Sequence, residues 1–423
     1  MERISLETAL ELALERTNPI TETINVKLLE AHGLIATCDI HAPIDNPPFD
    51  RSPLDGFALL SADTAAASKA APVRLCIVGT CYAGEVFPEP LHSGAALKIM
   101  TGAPMPKGAD AMLPKEAVKE EGGCVLVFTP VKQYDNYVFK GEDIPQGQVL
   151  IQSKERLDFI RLGILAGMGF DTVSVYRPPE IGILCTGEEL VPPGAPLTPG
   201  KIYNNNGILL ATRLKELGFH AQLLPVSPDD APKAAAQIRS TLEHLDILIT
   251  TGAVSVGDKD IMHEVFDRVP VEKLFWGMNF KPGSAMACGV YKEKLLLCLS
   301  GNPFAAMTTL ELVVVPVLAK LAHLPHLQTR YCYAQLGEAF PKKSDYRRFI
   351  RAHLEPYNGT DAHPLVSITE KHSSSQLLSL LNCNCFVDIP AGSDSLPAGC
   401  IVKIALFNNV EPKLLLNATY AQV

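Results

Sequence analysis

The 423-residue sequence lacks any excess of basic charge: 46 Asp and Glu stand against 37 Lys and Arg, a net charge of −9. A chain with a pI near 5.7 is repelled by nucleic acid and by anionic membrane. Neither is expected as a partner, and any anionic ligand has to be held by a local site. Paired cysteine motifs are also lacking. The 11 Cys are an odd number without a CxxC, and charges run through the N-terminal MERISLETALELAL where a signal peptide would be apolar, so a reducing, cytoplasmic compartment is expected. No uncharged run is fit to cross a bilayer, because the longest, Leu295 to Leu310, is broken by Ser300-Gly301-Asn302-Pro303. G-x-S-x-G, HExxH, histidines at metal-ligand spacing, repeats and low-complexity tracts are missing too, and with them the corresponding hydrolase and zinc-site readings.

What is present is a globular composition, 47% apolar and 20% charged, at a length that predicts two to four domains. Leu6, Leu10 and Leu14, with Ser5 as N-cap, predict one amphipathic helix over 5–17. From Pro43 to Gly147 dense Pro and Gly separate β-prone runs such as Val73 to Val78 and Val125 to Val131, as in a β-rich domain. A short helix fits Leu157 to Gly167, and Tyr176-Arg177-Pro178-Pro179 reads as a connector. From Ile181 the pattern becomes strand, loop, helix, repeated: strands at 181–185, 219–226, 247–250 and 295–299 alternate with helices at 207–217, after Asp229-Asp230, near 261–268, and from Pro303 to Leu321. Such alternation implies a doubly wound parallel α/β sheet. Beyond Leu324 the runs 348–354, 385–389 and 401–406 predict a C-terminal β domain, in which one of Cys383 and Cys385 points inward as a small apolar side chain. The expected division is 1–45 with 141–177, 46–140, 178–325 and 326–423.

In a doubly wound sheet ligands lie outside the carboxyl ends of the strands. Three loops leave such ends: Thr186-Gly187-Glu188-Glu189-Leu190, the segment from Thr251-Gly252 through Ser255, Gly257, Asp258 and Lys259 to Asp260, and Ser300-Gly301-Asn302-Pro303. Each offers small residues and backbone N–H groups at or near a helix start, which suits a phosphate or another oxyanion. Carboxylates beside such a site, Asp229, Asp258 and Asp260, repel an anion unless a dication lies between them, so Mg²⁺ is expected. Taken singly, Asp258 reads as an N-cap and Asp229 as a turn residue; three Gly-bearing loops on one sheet edge favour the functional reading. Lys281, in Lys281-Pro282-Gly283, is placed to reach an oxyanion or else is a surface lysine.

Together, PPFDRSPLDGFAL, AGE, KIMTGAPMPKGADAM, GEDI, TGEEL, KIYNNNG, TTGAVSVGDKD, KPG and LSGNP, in that order, resemble the MoeA family of molybdopterin molybdenumtransferases, which includes the E domain of gephyrin. The resemblance covers residues 1 to about 410. It implies an elongated chain with a MogA-like α/β domain, an N-terminal β-rich region and a C-terminal β-barrel-like domain. The activity implied is insertion of molybdate into adenylylated molybdopterin to give molybdenum cofactor and AMP. Carried over by motif, Asp229 and Asp260 are the Mg²⁺-associated acids, Asp55, Thr101 and Glu189 are further catalytic positions, and Lys281 is an anion-binding lysine. Gly252, Ser255, Gly257, Asp258, Ser300, Gly301, Asn302, Pro303 and Ser374 are the implied substrate-binding residues. The family implies a homodimer with its active site in a cleft between subunits, fed by a molybdopterin adenylyltransferase. The chain departs from the family at Gly277, where many members carry a basic residue, and this leaves a second reading, a non-catalytic molybdopterin-binding scaffold. A third is the adenylyltransferase itself, disfavoured because that enzyme resembles the α/β domain alone.

Overall fold

A computed structural model describes residues 3–254, 261–356, 363–368 and 375–407. The chain forms two compact units, one of Met1–Ile24, Gly33–Ile35 and Val175–Val423, the other of Asn25–His32 and Ala36–Ser174.

In the first unit the N-terminal helix is Leu6–Glu15, and Ser5 caps it by accepting the Thr8 N–H at 3.0 Å. Its buried stripe is Leu6, Ala9 and Ala13, with Leu10 and Leu14 only half-buried. A strict four-residue spacing drifts around a helix of 3.6 residues per turn, and the alanines permit the closer approach.

The α/β sheet runs in the order Ala221–Leu223, Ile181–Cys185, Ile247–Thr251, Lys294–Leu299, Ala287–Tyr291, Glu272–Trp276. Its first four strands are parallel, Ile181 facing Ile247 and Ile247 facing Leu295. The inner parallel strands are covered on both faces, which is why Ile181–Cys185 and Ile247–Thr251 are buried at every position, whereas Ala221–Leu223 at the edge is largely exposed. The other two strands are antiparallel and were not expected from sequence. Ala287–Tyr291 returns into Lys294–Leu299 through Lys292-Glu293, both at positive φ (48° and 67°). That is hairpin geometry, made without the Asn or Gly that signals it in a sequence.

The helix beginning at Pro303 runs to Leu321 as Pro303–Thr309, a π turn Leu310–Val314, and Val315–Leu321. It has the length and apolarity of a membrane span, but 94% of it is buried inside the protein, so it is a core helix. The π turn carries Glu311, whose carboxylate accepts from Arg213 Nε at 2.6 Å and Nη2 at 3.3 Å. Arg213 lies on the helix Asn205–Glu216 and also reaches Glu216 at 2.6 Å. Burial pushes the Glu311 carboxyl up against the opposing pull of Arg213.

At the C-terminus Arg347–Leu354, Leu365–Ile368, Arg330–Leu336, Ile401–Leu406 and Cys385–Ile389 pair in turn, and the last pairs with the first, closing a five-stranded barrel. Cys385 is the inward cysteine, fully buried, while Cys383 is half-buried. The two-residue strand Phe280–Lys281 lies parallel to Arg347–Leu354 and so joins the Lys281-Pro282-Gly283 segment to the barrel.

The second unit holds a six-stranded sheet in the order Ala111–Pro114, Gly56–Leu59, Ala95–Ile99, Val73–Cys81, Cys124–Val127, Val118–Glu121, and the helix Phe159–Gly167 capped by Asp158.

Breaking a buried ion pair strands a charge, whereas replacing both partners by apolar groups removes it. Glu311→Ala is therefore expected to cost about 3–5 kcal/mol in urea unfolding, and Arg213→Met with Glu311→Leu to recover most of that loss. Equal loss in the single and double variants would show that the pair's charge is not what matters.

Candidate functional site

In the first unit a cleft of about 590 Å³ opens at the carboxyl ends of the parallel strands. Thr186, Gly252 and Gly301 follow adjacent strands and pack against one another. The Thr186 N–H donates to the Thr251 carbonyl and the Gly252 N–H to the Leu299 carbonyl, continuing the ladder past the strand ends. Gly252 has φ of 103°, and a Cβ there would lie 2.5 Å from the Thr186 carbonyl oxygen. A Cβ at Gly301 would be 3.4 Å from the Gly252 Cα. Gly187 lets the Glu189 carboxylate fold back over it, to within 2.6 Å of where a Cβ would stand.

Two helices begin at this cleft. Asn204 caps Asn205–Glu216 by accepting the Gly207 N–H at 3.1 Å, and Asn302 occupies the N-cap of the long helix. Asn206 ties the loops together: its Nδ2 donates to Thr251 Oγ1 at 2.9 Å and to the Gly301 carbonyl at 2.8 Å, while Thr251 Oγ1 donates to the Ser300 carbonyl at 2.9 Å. Asp229 lines the cleft and accepts weakly from the Glu188 N–H at 3.4 Å. Capping of the following helix falls to Asp230, which accepts the Lys233 N–H. The arrangement joins N–H groups at helix starts with two carboxylates, Asp229 and Glu189, as a phosphate ester with a cation requires.

A second cavity, of about 360 Å³, shares Ser300 and Asn302 with the first. Its charged lining is cationic: Lys281, Lys342, Arg348 and Arg351. Lys281 Nζ lies 4.2 Å over the Tyr346 ring, and Arg348 Nε donates to Ser344 Oγ at 2.7 Å. Among the described residues no ion pair uses Lys281, Lys342 or Arg348. Arg351, fully buried, stacks 3.9 Å over Phe304 and donates to the Gln376 carbonyl and Ser379 Oγ. Gly283 packs on the long helix, where a Cβ would lie 2.8 Å from Thr309 Cγ2. Gly277 leaves no gap. Arg3 crosses it, with Cγ 3.1 Å from where a Cβ would be, and the crossing is held by the Ile4 N–H to the Gly277 carbonyl and by Asn279 Nδ2 to the Arg3 carbonyl.

In the second unit Asp55 Oδ1 accepts from the Thr101 N–H at 2.9 Å and from Thr101 Oγ1 at 2.8 Å, and Lys115 Nζ is 3.4 Å from Oδ2. These bonds, the Thr101 N–H foremost, hold the Asp55 carboxyl below the usual carboxylate range.

Three family profiles match the chain: the MoeA N-terminal region (domain I and II) over 4–169, a probable molybdopterin binding domain over 182–320, and the MoeA C-terminal region (domain IV) over 333–407. A curated molybdopterin molybdenumtransferase of Staphylococcus epidermidis is 32% identical over 397 residues, 93% of this chain and 94% of the relative. One from Staphylococcus aureus is 32% identical over 395 residues, with the same coverage. A crystal structure of the molybdopterin biosynthesis MoeA protein of Pyrococcus horikoshii matches with a TM-score of 0.80 at 32% identity, covering 96% of this chain and 99% of that one. The chain belongs to the MoeA family.

Of the site residues expected from sequence, the structure of this MoeA chain brings Glu189, Asp229, Gly252, Ser300, Gly301, Asn302 and Pro303 to the first cleft and Lys281 to the second cavity, and it bonds Asp55 to Thr101. Ser255, Gly257, Asp258, Asp260 and Ser374 lie outside the described residues; Ser375, next to the last of these, lines the first cleft. The reading from sequence missed Thr186, Thr251 and Asn206, although all three sit inside the motifs it quoted. It also missed Lys342, Arg348 and Arg351. Alternation gave no signal for Arg351, because Phe349, Ile350, Arg351 and Ala352 are buried in succession.

Gly252→Ala places a Cβ in a strained conformation against a backbone carbonyl and is expected to cost about 2 kcal/mol or more, while Gly301→Ala costs less than about 1. Denaturant unfolding of the two variants measures the contrast, and equal costs would refute the packing argument.

Proposed function

We propose that this chain is a Mg²⁺-dependent molybdopterin molybdenumtransferase, which transfers molybdate into adenylylated molybdopterin and releases AMP. The observation that carries the reading is the adjacency of two unlike cavities across one loop. On one side of Ser300-Gly301-Asn302 lie helix starts and carboxylates; on the other lie four cationic side chains and no carboxylate among the described lining residues. A pyrophosphate ester suits the first, and a tetrahedral dianion such as molybdate suits the second.

Two carboxylates, Asp229 and Glu189, line the first cleft beside backbone at helix starts. That fits Mg²⁺, which takes one or two carboxylates plus substrate phosphates and keeps several waters. Asp229 and Asp260 would hold it, and when bound it would neutralise pyrophosphate charge and make AMP a better leaving group. The remaining work is positioning. The N–H groups at Asn205–Asn206 and Ser300–Gly301 orient the pyrophosphate, and Asn206 keeps those loops in register. Lys281, Lys342 and Arg348 gather molybdate beside the dithiolene end of the same substrate, so two anions that repel in water are held close. No covalent nucleophile is required of the protein. Asp55, fixed in its ionised form by Thr101 and Lys115, is assigned to the same reaction, and the adenylylated substrate would come from a molybdopterin adenylyltransferase.

With adenylylated molybdopterin, molybdate and Mg²⁺, the purified protein is expected to release AMP. Asp229→Ala should lower that rate by about a hundredfold. Lys281→Ala should raise the molybdate requirement about tenfold, in keeping with one lost charge-assisted hydrogen bond, and leave affinity for the adenylylated substrate unchanged. Unaltered AMP release in Asp229→Ala would remove the mechanism, and tight binding without turnover in the natural protein would favour the scaffold reading.

The homodimer is part of the proposal. In the second unit Leu29, Phe159 and Ile160 are 95%, 76% and 56% exposed, as interface side chains are in an isolated chain. Sedimentation should give twice 45.7 kDa, and Phe159→Glu with Ile160→Glu should reduce this to the monomer; an unchanged mass would place the interface elsewhere.

A further inference from the structure

The sheet of the second unit contains a thiol pair that the transferase reading does not use. Cys76 on the strand Val73–Cys81 and Cys124 on Cys124–Val127 face each other in antiparallel register. The Cys76 N–H points away from this neighbour, to the Gly94 carbonyl at 2.9 Å, while the next residue, Ile77, donates across to the Gly123 carbonyl at 3.0 Å. Cys76 and Cys124 therefore form a non-hydrogen-bonded pair, the kind whose Cα atoms approach to about 4.5 Å. That is within the range a disulfide spans, about 4.4–6.8 Å. The two Sγ atoms are 3.7 Å apart without a bond, so modest side-chain rotation brings them together.

The surroundings supply reactivity as well as reach. Leu75, Val125 and Val127 on these strands are buried in the core of the sheet, which by alternation puts Cys76 and Arg74 together on the opposite face. Cys76 is exposed there and open to a small reagent. Cys124 is buried, and the Arg74 guanidinium beside it holds its thiol below the ordinary thiol range. Glu121 is the nearby acid acting on Arg74. The cysteines of the α/β sheet and barrel differ: burial pushes Cys185, Cys288, Cys332 and Cys385 up and leaves them inert.

From this geometry we infer that Cys76 and Cys124 are a thiol–disulfide exchange site that takes up a low-molecular-weight disulfide and closes to a reversible intramolecular disulfide. Cys76, the exposed thiol, loses its proton and attacks one sulfur of the reagent, forming a mixed disulfide and releasing one thiolate. The Cys124 thiol, held by Arg74, gives up its proton and attacks the Cys76 sulfur, the Cys76–Cys124 bond forms, and the second reagent thiolate leaves. Two protein thiols are oxidised and one small disulfide is reduced to two thiols.

The test uses the full chain incubated with glutathione disulfide, quenched by alkylation and mapped by mass spectrometry. Expected are a fall of two in the count of eleven free thiols, a linked peptide pair containing Cys76 and Cys124, and full reversal by a dithiol reductant. Cys124→Ser should trap the mixed disulfide on Cys76, and Arg74→Gln should slow closure several-fold with the fold unchanged by circular dichroism. Cys38, the other exposed cysteine, serves as an internal comparison. Glutathione adducts on Cys38 with no Cys76–Cys124 linkage overturn the inference. So does a pair that reacts only after denaturation, or a closure rate indifferent to Arg74.

Discussion

The site depends on how closely backbone can approach backbone at the ends of three parallel strands. Gly252 lies against the Thr186 carbonyl and Gly301 against Gly252, at separations a side chain at Gly252 would abolish. Parallel register sets this up, because Cys185, Thr251 and Leu299 end level with one another. Once the loops touch, Asn206 and Thr251 cross-link them, and two helix starts are fixed over one hollow. Nothing in this demands a large or unusual side chain. The chemistry is prepared by small residues that let polar backbone converge.

Charge is then distributed with the same economy. The chain is acidic overall, yet Lys281, Lys342, Arg348 and Arg351 meet in one cavity without a carboxylate among its described lining residues, and Asp229 and Glu189 face the neighbouring cleft. The KPG segment reaches its place by pairing onto the barrel strand that also carries Arg348 and Arg351. Arg3 lies over Gly277, so a position without a side chain of its own is covered by a cation from the N-terminus. The C-terminal barrel is thus more than an appendage, since it furnishes the cationic wall that the α/β sheet lacks.

Much of this was legible in the sequence, for identifiable reasons. The parallel strands announced themselves because burial on both faces leaves continuous apolar runs, and the three loops because glycine and a helix cap are local signals. The antiparallel edge did not, since its turn is Lys292-Glu293, and the cationic cavity did not, since its members come from three separate segments that only tertiary pairing unites. Asn206 illustrates the boundary: it stood within a quoted motif, but its role, bonding Thr251 and Gly301 at once, exists only when strands far apart in sequence are neighbours. Cys76 and Cys124 stand 48 residues apart and carry no spacing motif; only register reveals them.

The buried Arg213–Glu311 pair connects these levels. Arg213 belongs to the helix that starts at Asn205, and Glu311 to the helix that starts at Pro303, the two whose N-terminal ends face the first cleft. Burial works against the charged form of Glu311, so the pair is weak as a source of stability. Its geometry is demanding, however: a carboxylate must meet the guanidinium from the π turn, where the extra residue per turn rotates Glu311 relative to the α-helix before it. A slip of either helix along its axis would unpair a buried charge. The same contact that costs desolvation therefore fixes the relative height of two helix starts, and with them the N–H groups proposed to bind the anion in the cleft.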